Sequence, residues 1–342
     1  MPSAVDQDVR SPAPGPDADG AVIVGRSITK SWGASRVFTG ADLDIGPGVT
    51  GLLGSNGSGK TTLIGMILGQ HRPDAVTLQV LGLDPATVGP DVRARIGYSP
   101  EHHRLPPDVR VNDFVAHVAQ IHGLPKRAAI NRASDALWQV GLGEERFRPL
   151  GTMSTGQRQR AKLAQAIVHD PALVLLDEPT DGLDPLQRDD MLDLIHRIGR
   201  DFGIHVLLSS HLLEEVERVC DGVVILRDGV VATSGSIDAV RGVALGAVVE
   251  LVGAPGSADA VVAQLRDGGF DVEPDGHRLI VTAPGDATDP DHVFDALRDA
   301  VARHGAGIRR LQPRRTTLED VFLGELDASG PGIVATLPEV GS

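Results

Sequence analysis

Apolar residues recur along the chain with two different spacings, and each change of spacing marks an element boundary. Residues 21–24 and 28–32 alternate like strands, and 37–45 continues the pattern to the turn Gly46-Pro47-Gly48. These read as antiparallel strands. Residues 49–53 form a short apolar run fit for a buried strand, and 62–68 have helical spacing, so the residues between them join a strand to a helix. Residues 95–101 read as a strand ending in a proline-broken loop, and 111–123, 126–140 and 158–168 read as helices. The unbroken apolar runs in 172–176 and 205–210 fit strands buried on both faces. A hairpin spans 223–232 around Asp228-Gly229. From about residue 245 the order is strand (247–252), helix (258–267), strand (270–273), strand (278–282), helix (289–303) and strand (307–311), with a helix-prone stretch at 316–323. This is a β-α-β-β-α-β plan.

Length and composition bound what these elements build. The 342 residues suggest two domains, and 41% hydrophobic residues with a mean hydropathy of −0.02 describe a soluble globular chain. No stretch has the apolar length of a membrane span, and the N-terminus carries acidic residues and prolines where a signal peptide has basic and apolar ones. The expected location is therefore the cytosol. A net charge of −14 and a pI near 5.2 argue against nucleic acid or an anionic membrane as a partner. The single cysteine, Cys220, cannot form an internal disulfide and reads as a small buried apolar residue. Residues 1–20 and 327–342 read as tails, 21–240 as one domain with a helical subdomain at about 99–170, and 245–326 as an accessory domain.

Between the first buried strand and its helix stands Gly54-Ser55-Asn56-Gly57-Ser58-Gly59-Lys60-Thr61, which satisfies G-x-x-x-x-G-K-[ST] in the context that pattern requires. Its glycines let backbone N–H groups converge on phosphate oxygens, Lys60 adds a charge, and the Thr61 hydroxyl can ligate Mg²⁺. The guest is a polyphosphate. The run 172–176 ends in Asp177-Glu178-Pro179, and ligand sites in parallel sheets lie at the carboxyl ends of strands. Asp177 is expected near Thr61 and the metal, with Glu178 on the opposite side of the strand, facing the γ-phosphate and polarising water. Two carboxylates standing alone would instead read as an acidic turn. Met153-Ser154-Thr155-Gly156-Gln157 precedes a helix, so Ser154 reads as an N-cap and the helix start as a second phosphate-binding surface. The strand 205–210 delivers His211 at its carboxyl end, although a lone histidine is more often structural. Trp32 is either a core aromatic or a ring that stacks on a purine. His102 and His103 lack a partner at metal-ligand spacing and read as a solvated loop.

In order, GSNGSGKT, MSTGQ, LVLLDEP, Gly182-Leu183-Asp184-Pro185 and SSH resemble the motifs of the nucleotide-binding subunit of ABC transporters, over residues 21–240. MSTGQ stands where that family has its LSGGQ signature. The resemblance implies an α/β fold: a P-loop NTPase core with an antiparallel β subdomain and a helical subdomain, here followed by a small C-terminal α+β (βαββαβ-like) domain. It implies ATP and Mg²⁺ as cofactors, and two copies that sandwich two ATP molecules head to tail. Gly54, Ser55, Asn56, Gly57, Ser58, Gly59, Lys60, Thr61 and Thr62 of one copy then face Ser154, Thr155, Gly156 and Gln157 of the other. By the same resemblance, Thr61, Asp177 and Glu101 hold the metal, Glu178 is the general base, His211 contacts the γ-phosphate, Asp184 communicates across the dimer, and Trp32 matches the adenine-stacking position. Two positions depart from the common pattern. Thr155 replaces the first glycine of the signature pair, and Glu101 stands where most members have the Q-loop glutamine, as in ATPase subunits of the ABC-2 export class. The C-terminal plan resembles the extension of drug-export ATPase subunits.

The expected function is an ATPase subunit, peripheral on the inner face of the cell membrane, that powers a separate permease of the ABC-2 export type. The runner-up is an ABC ATPase working without a transporter, in DNA maintenance or translation, and a third reading is a nucleotide-binding regulator that does not turn over. Against the second stand the lack of a long coiled-coil insertion and of a tandem ATPase pair. Against the third stand Glu178 and His211.

Overall fold

The computed structural model describes residues 20–102, 104–241, 246–284, 291–314 and Leu318; the expected tails and the rest of the 316–323 stretch lie outside the described residues. The chain divides into two compact units, one running to Ile237 and the other beginning at Asp238.

In the first unit β1 (Ile23–Trp32) pairs antiparallel with β2 (Ser35–Ile45), and β3 (Val49–Leu53) leads into α1 (Lys60–Ile67). The two apolar runs expected before residue 33 are one strand, its register shifted between Gly25 and Ile28, with Ser27 at a φ of 51°. β4 (Ala75–Val80) returns to the other edge of β1. Then come α2 (Gly89–Arg93), β5 (Ile96–Ser99), α3 (Val111–Ile121), α4 (Lys126–Gln139), α5 (Thr155–Ile167), β6 (Leu173–Asp177), α6 (Pro185–Phe202), β7 (His205–Ser210) and α7 (Leu213–Val219). The hairpin β8 (Gly222–Arg227) and β9 (Val230–Ser236) turns at Asp228-Gly229, both at positive φ as a tight hairpin requires, and α8 (Ile237–Arg241) follows. The spacing of apolar residues predicts no element at β4, α2, α6, α7 or α8. α6 was the most legible of these, since Asp184 caps it through the Gln187 N–H and Pro185 occupies its first turn, a standard helix start.

Strands β5, β6, β7, β3 and β8 are parallel neighbours in that spatial order, with β9 antiparallel at the far edge. Both faces of the parallel part of this sheet are dry. Leu173 and Leu175 of β6 pack with Leu52, Leu207 and the Leu63 and Ile67 side chains of α1, while Val174 and Leu176 pack with Val206, Leu208 and residues of α5 and α6. Alternation along one strand thus feeds two cores, which leaves charged groups only the strand ends.

The outer edge of β5 is closed by side chains rather than by another strand. Gln165 Nε2 donates to the Tyr98 carbonyl at 2.6 Å, and Lys162 Nζ donates to the carbonyls of Pro100 (3.1 Å) and Glu101 (2.8 Å). His169, just past the end of α5, sits 3.2 Å from the Ile96 carbonyl through Nε2. Gly97 permits this approach, because a Cβ there would stand 1.9 Å from the Ala166 carbonyl oxygen. Partly buried acceptors along and just past the strand edge are thereby satisfied from α5 and the residue that follows it.

The second unit contains β10 (Gly246–Val252), α9 (Ser257–Asp267), β11 (Asp271–Asp275), β12 (Arg278–Thr282), α10 (Asp291–His304) and β13 (Gly307–Pro313). Its sheet has the antiparallel order β11-β12-β10-β13, the split β-α-β arrangement that the element order calls for. Val249, Val261, Leu265, Val281, Val293 and Leu297 form its core. Each element lies within two residues of its expected limits.

Burial, with the positive charge of the stacked His122 ring and of Arg132, pushes His169 down from 6.5 to about 4. Between those values the unfolded chain binds the extra proton, so stability is complete above the unfolded value and falls as pH drops. Urea unfolding near pH 7.5 and near pH 5 is expected to show a loss of at most about 2 kcal/mol assignable to this ring. In His169→Gln, whose amide can keep the bond to Ile96, that part of the pH dependence should disappear. An unchanged dependence would assign it to other groups.

Candidate active site

The loop between β3 and α1 is shaped for an anion. Gly59, the N-cap of α1, has a φ of 107°, and a Cβ on it would stand 2.9 Å from the Phe38 ring, so only glycine fits. α1 has no side-chain cap and no acidic residue in its first turn, which leaves its terminal N–H groups open to a ligand. Lys60 is 8% exposed; its Nζ donates to the Gly54 carbonyl at 2.7 Å and lies 3.6 Å from Glu178 Oε1. Glu178, 9% exposed, holds His211 Nδ1 at 2.9 Å through its other oxygen. Lysine, carboxylate and imidazole thus form one chain of contacts.

Glu178 departs from the expected strand alternation. β6 ends at Asp177, and Glu178 has a φ of 46°, a left-handed conformation that turns its side chain out of the strand's periodicity. Ser209 supports this turn from β7: its hydroxyl donates to Asp177 Oδ1 at 2.6 Å and accepts the Glu178 N–H at 3.0 Å. Sequence reading gave Ser209 no role, although its place in the SSH run at a strand end was a usable signal.

Thr61, Thr62, Glu101, Asp177, Glu178 and His211 line one cleft of about 340 Å³, together with Ser55, Asn56, Gly57, Gly59 and Lys60. Gly54 and Ser58 stand behind it. The Gly54 carbonyl anchors Lys60, and Ser58 is buried with a hydroxyl that has no hydrogen-bond partner among the described residues. The open N–H groups of α1, with the Lys60 ammonium, the Thr61 hydroxyl and the carboxylates of Asp177 and Glu101 lining the same cleft, fit a polyphosphate with a hard cation.

The remaining expected site residues lie outside this cleft. Trp32 is 48% exposed, with Lys30 Nζ 4.8 Å from its ring centroid and His71 edge-on at 5.0 Å, which rules out the core-aromatic reading. His102 is exposed and contacts Glu101 Oε1 at 3.3 Å; His103 lies outside the described residues. Cys220 is only partly buried.

Comparison with known proteins agrees with this geometry. Residues 38–181 match the ABC transporter family. The Nod factor export ATP-binding protein I of Ralstonia nicotianae is 31% identical over 91% of this chain and 95% of its own length. The chain belongs to the ABC transporter ATP-binding family. The daunorubicin resistance ATP-binding protein DrrA3 of Streptomyces coeruleorubidus is 32% identical over 90% of this chain and 96% of its own. A solved ATP-binding subunit of an ABC transporter superposes with a TM-score of 0.57 at 26% identity, over 64% of this chain and 92% of that one. Members of the family bind and hydrolyse ATP to power transport by a membrane permease, and this ABC ATPase is a subunit of that kind. Among its described residues no helix is long and apolar enough to cross a membrane.

In this ABC ATPase the signature segment opens α5 with a complete capping box. Ser154 Oγ accepts the Gln157 N–H at 3.2 Å, and Gln157 Oε1 accepts the Ser154 N–H at 3.1 Å. Thr155, the departing residue, accepts a bond from Arg158 Nη2 at 3.1 Å. Asp184 has a local task of its own as the cap of α6. Tyr98 of β5 is pushed up to about 12 by burial and by the negative charges of Asp177 and Glu101.

Lys162 was not singled out from the sequence, yet it fixes the loop that carries Glu101. Burial holds its ammonium below the ordinary lysine value, offset in part by Glu101, Asp181 and Asp177. Lys162→Met keeps the stem and removes both donors. Urea unfolding should show a loss of about 1–3 kcal/mol, the range for stranding buried acceptors. Amide exchange at residues 98, 99, 101 and 102 should rise as well, and exchange equal to wild type would show that the loop is held by other contacts.

Proposed function

We propose that the Lys60–Glu178–His211 chain is the hydrolytic centre of this ATPase, with Glu178 as general base, and that the subunit works as a homodimer beneath an export permease. The observation that carries this reading is the pair of contacts made by Glu178, one oxygen toward Lys60 and the other on His211. With ATP bound, the phosphates draw Lys60 from the Gly54 carbonyl, and Glu178 takes the proton of the water that attacks the γ-phosphate while His211 holds the carboxylate in place. Residues 54–62 cradle the phosphates, and Trp32, whose exposed ring is available for stacking, covers the adenine. Thr61, Asp177 and Glu101 supply hard oxygen donors for Mg²⁺, which offsets the negative charge of the polyphosphate.

Residues 154–157 stand apart from the cleft of their own chain, which supports a composite site completed by the signature of a second copy, with Asp184 communicating between copies. Export as the direction is supported by the names of the two curated relatives, one an export protein and one a resistance protein, and by the glutamate at position 101. The permease would hold the subunit at the inner face of the membrane. The second compact unit is then an accessory domain.

Glu178→Gln should keep MgATP binding, trap a dimer detectable by size, and slow turnover by about 10²–10⁴-fold. Turnover near wild type would remove Glu178 from the role. Glu101→Gln should largely retain ATP binding, because an amide oxygen replaces a carboxylate oxygen, whereas Glu101→Ala should flatten the dependence of turnover on Mg²⁺. Superimposable Mg²⁺ titrations for Glu101→Ala and wild type would leave Glu101 an ordinary surface residue.

A further inference from the structure

Glu215, on α7, is 3% exposed and does not line the cleft. Burying a carboxylate is costly unless it is paired, and this one is hydrogen-bonded to two segments and ion-paired with a third. Its Oε2 accepts the hydroxyl of Thr180 at 3.0 Å and that of Ser210 at 2.7 Å, while Oε1 lies 3.3 Å from Arg188 Nε of α6. Thr180 is two residues beyond Glu178, and Ser210 immediately precedes His211. The Ser210 hydroxyl also accepts the Leu212 N–H at 3.0 Å, so the backbone is pinned on both sides of His211. On the other arm, Glu178 sits at a left-handed φ, which for a residue with a side chain persists only where the surroundings enforce it. Ser209 secures the backbone at Glu178 itself, and the bond to Thr180 secures it two residues later.

We infer that Glu215 is a positioning residue for ATP hydrolysis: one buried carboxylate ties the segment after Glu178 to the segment around His211 and so keeps the two side chains in contact. This deepens the reading that Glu178 and His211 perform the hydrolysis, and rests on it. Glu215 touches neither side chain; it acts through Thr180 and Ser210. Its ion pair with Arg188 extends the tie to the helix that Asp184 caps, so that helix and the two segments that carry Glu178 and His211 converge on one group.

The test uses the full chain with MgATP. Glu215→Met preserves volume and removes both acceptors, so kcat should fall about tenfold or more, as a displacement of order 1 Å does. The KM for ATP should stay within about twofold, since the phosphate loop is not among the tied segments. Glu215→Gln presents an amide oxygen to the same two hydroxyls and should recover most of the lost kcat. With His211→Ala as background, Glu215→Met should add little, because the contact it protects is already gone. A purely structural role predicts otherwise: losses that track the folded fraction, no rescue by glutamine beyond restored folding, and a full multiplicative loss in the His211→Ala background. Any of these would overturn the inference. Should Glu215→Met fail to fold, Ser210→Ala and Thr180→Val each remove one arm, and wild-type kcat in both would overturn it equally. Turnover near wild type by Glu178→Gln would instead sink the reading beneath it, while a wild-type Glu215→Met beside an inactive Glu178→Gln would sink the positioning role alone.

Discussion

Five parallel strands covered on both faces leave no room for ionic groups along their length, and the chemistry is pushed to where the strands stop. The register then decides what meets. In the ladders Leu53 pairs with Ser210 and Asp177 pairs with Ser209, so β3, β6 and β7 run out almost level. The first residue beyond each is Gly54, Glu178 and His211 respectively. Neighbouring strands lie about 4.8 Å apart, within reach of a side chain. A slip of one residue in β7 would exchange Ser209 and Ser210 between faces, breaking the bonds to Asp177 and Glu215 together. The site therefore depends on pairing made by apolar residues that take no part in it.

Concentrating charge at a dry sheet end has a cost, which the structure meets by pairing each group. Lys60, Asp177, Glu178 and Glu215 are all less than one-tenth exposed, and each has a partner on a different segment. Removing one member of such a set strands another, which is why buried pairs are costly to break whatever their net worth. The two adjacent serines of β7 divide the work because successive side chains point to opposite faces. Ser209 serves the Asp177–Glu178 turn, and Ser210 serves the His211 turn and Glu215.

What was legible in the sequence was mainly what depends on local pattern. The strand–loop–helix context of Lys60, the apolar run ending at Asp177 and the cap at Ser154 all follow from residues a few positions apart, and each was read correctly in kind. The second unit was legible for the same reason, since six short periodic segments separated by turns leave little choice of order. Glu178 was placed on the wrong premise, because strand alternation cannot foresee a left-handed residue imposed by a serine 31 positions away. The roles of Lys162, Ser209 and Glu215 are not legible because most of their partners are distant in sequence, and those of Lys162 are backbone carbonyls, which carry no residue signature. Trp32 could not be decided, since core and surface aromatics look alike until burial is known.

The same dependence on distant backbone explains how the chain accommodates a glutamate at position 101. Lys162 grips the carbonyls of Pro100 and Glu101, not the Glu101 carboxylate, so the loop's path is set independently of the side chain it presents. The carboxylate remains directed to the cleft, which it lines with Thr61 and Asp177. Because Lys162, Gln165 and the following His169 hold β5 from a helix that begins at Ser154, the Glu101 loop and the signature segment ride on one continuous element. The bonds that hold the loop and the strand before it, and the close packing that Gly97 permits against Ala166, lie in the second half of that helix or just past it, away from the capped end at Ser154. The identity of residue 101 therefore decides what the loop presents to the cleft, while Lys162 decides how the loop is held.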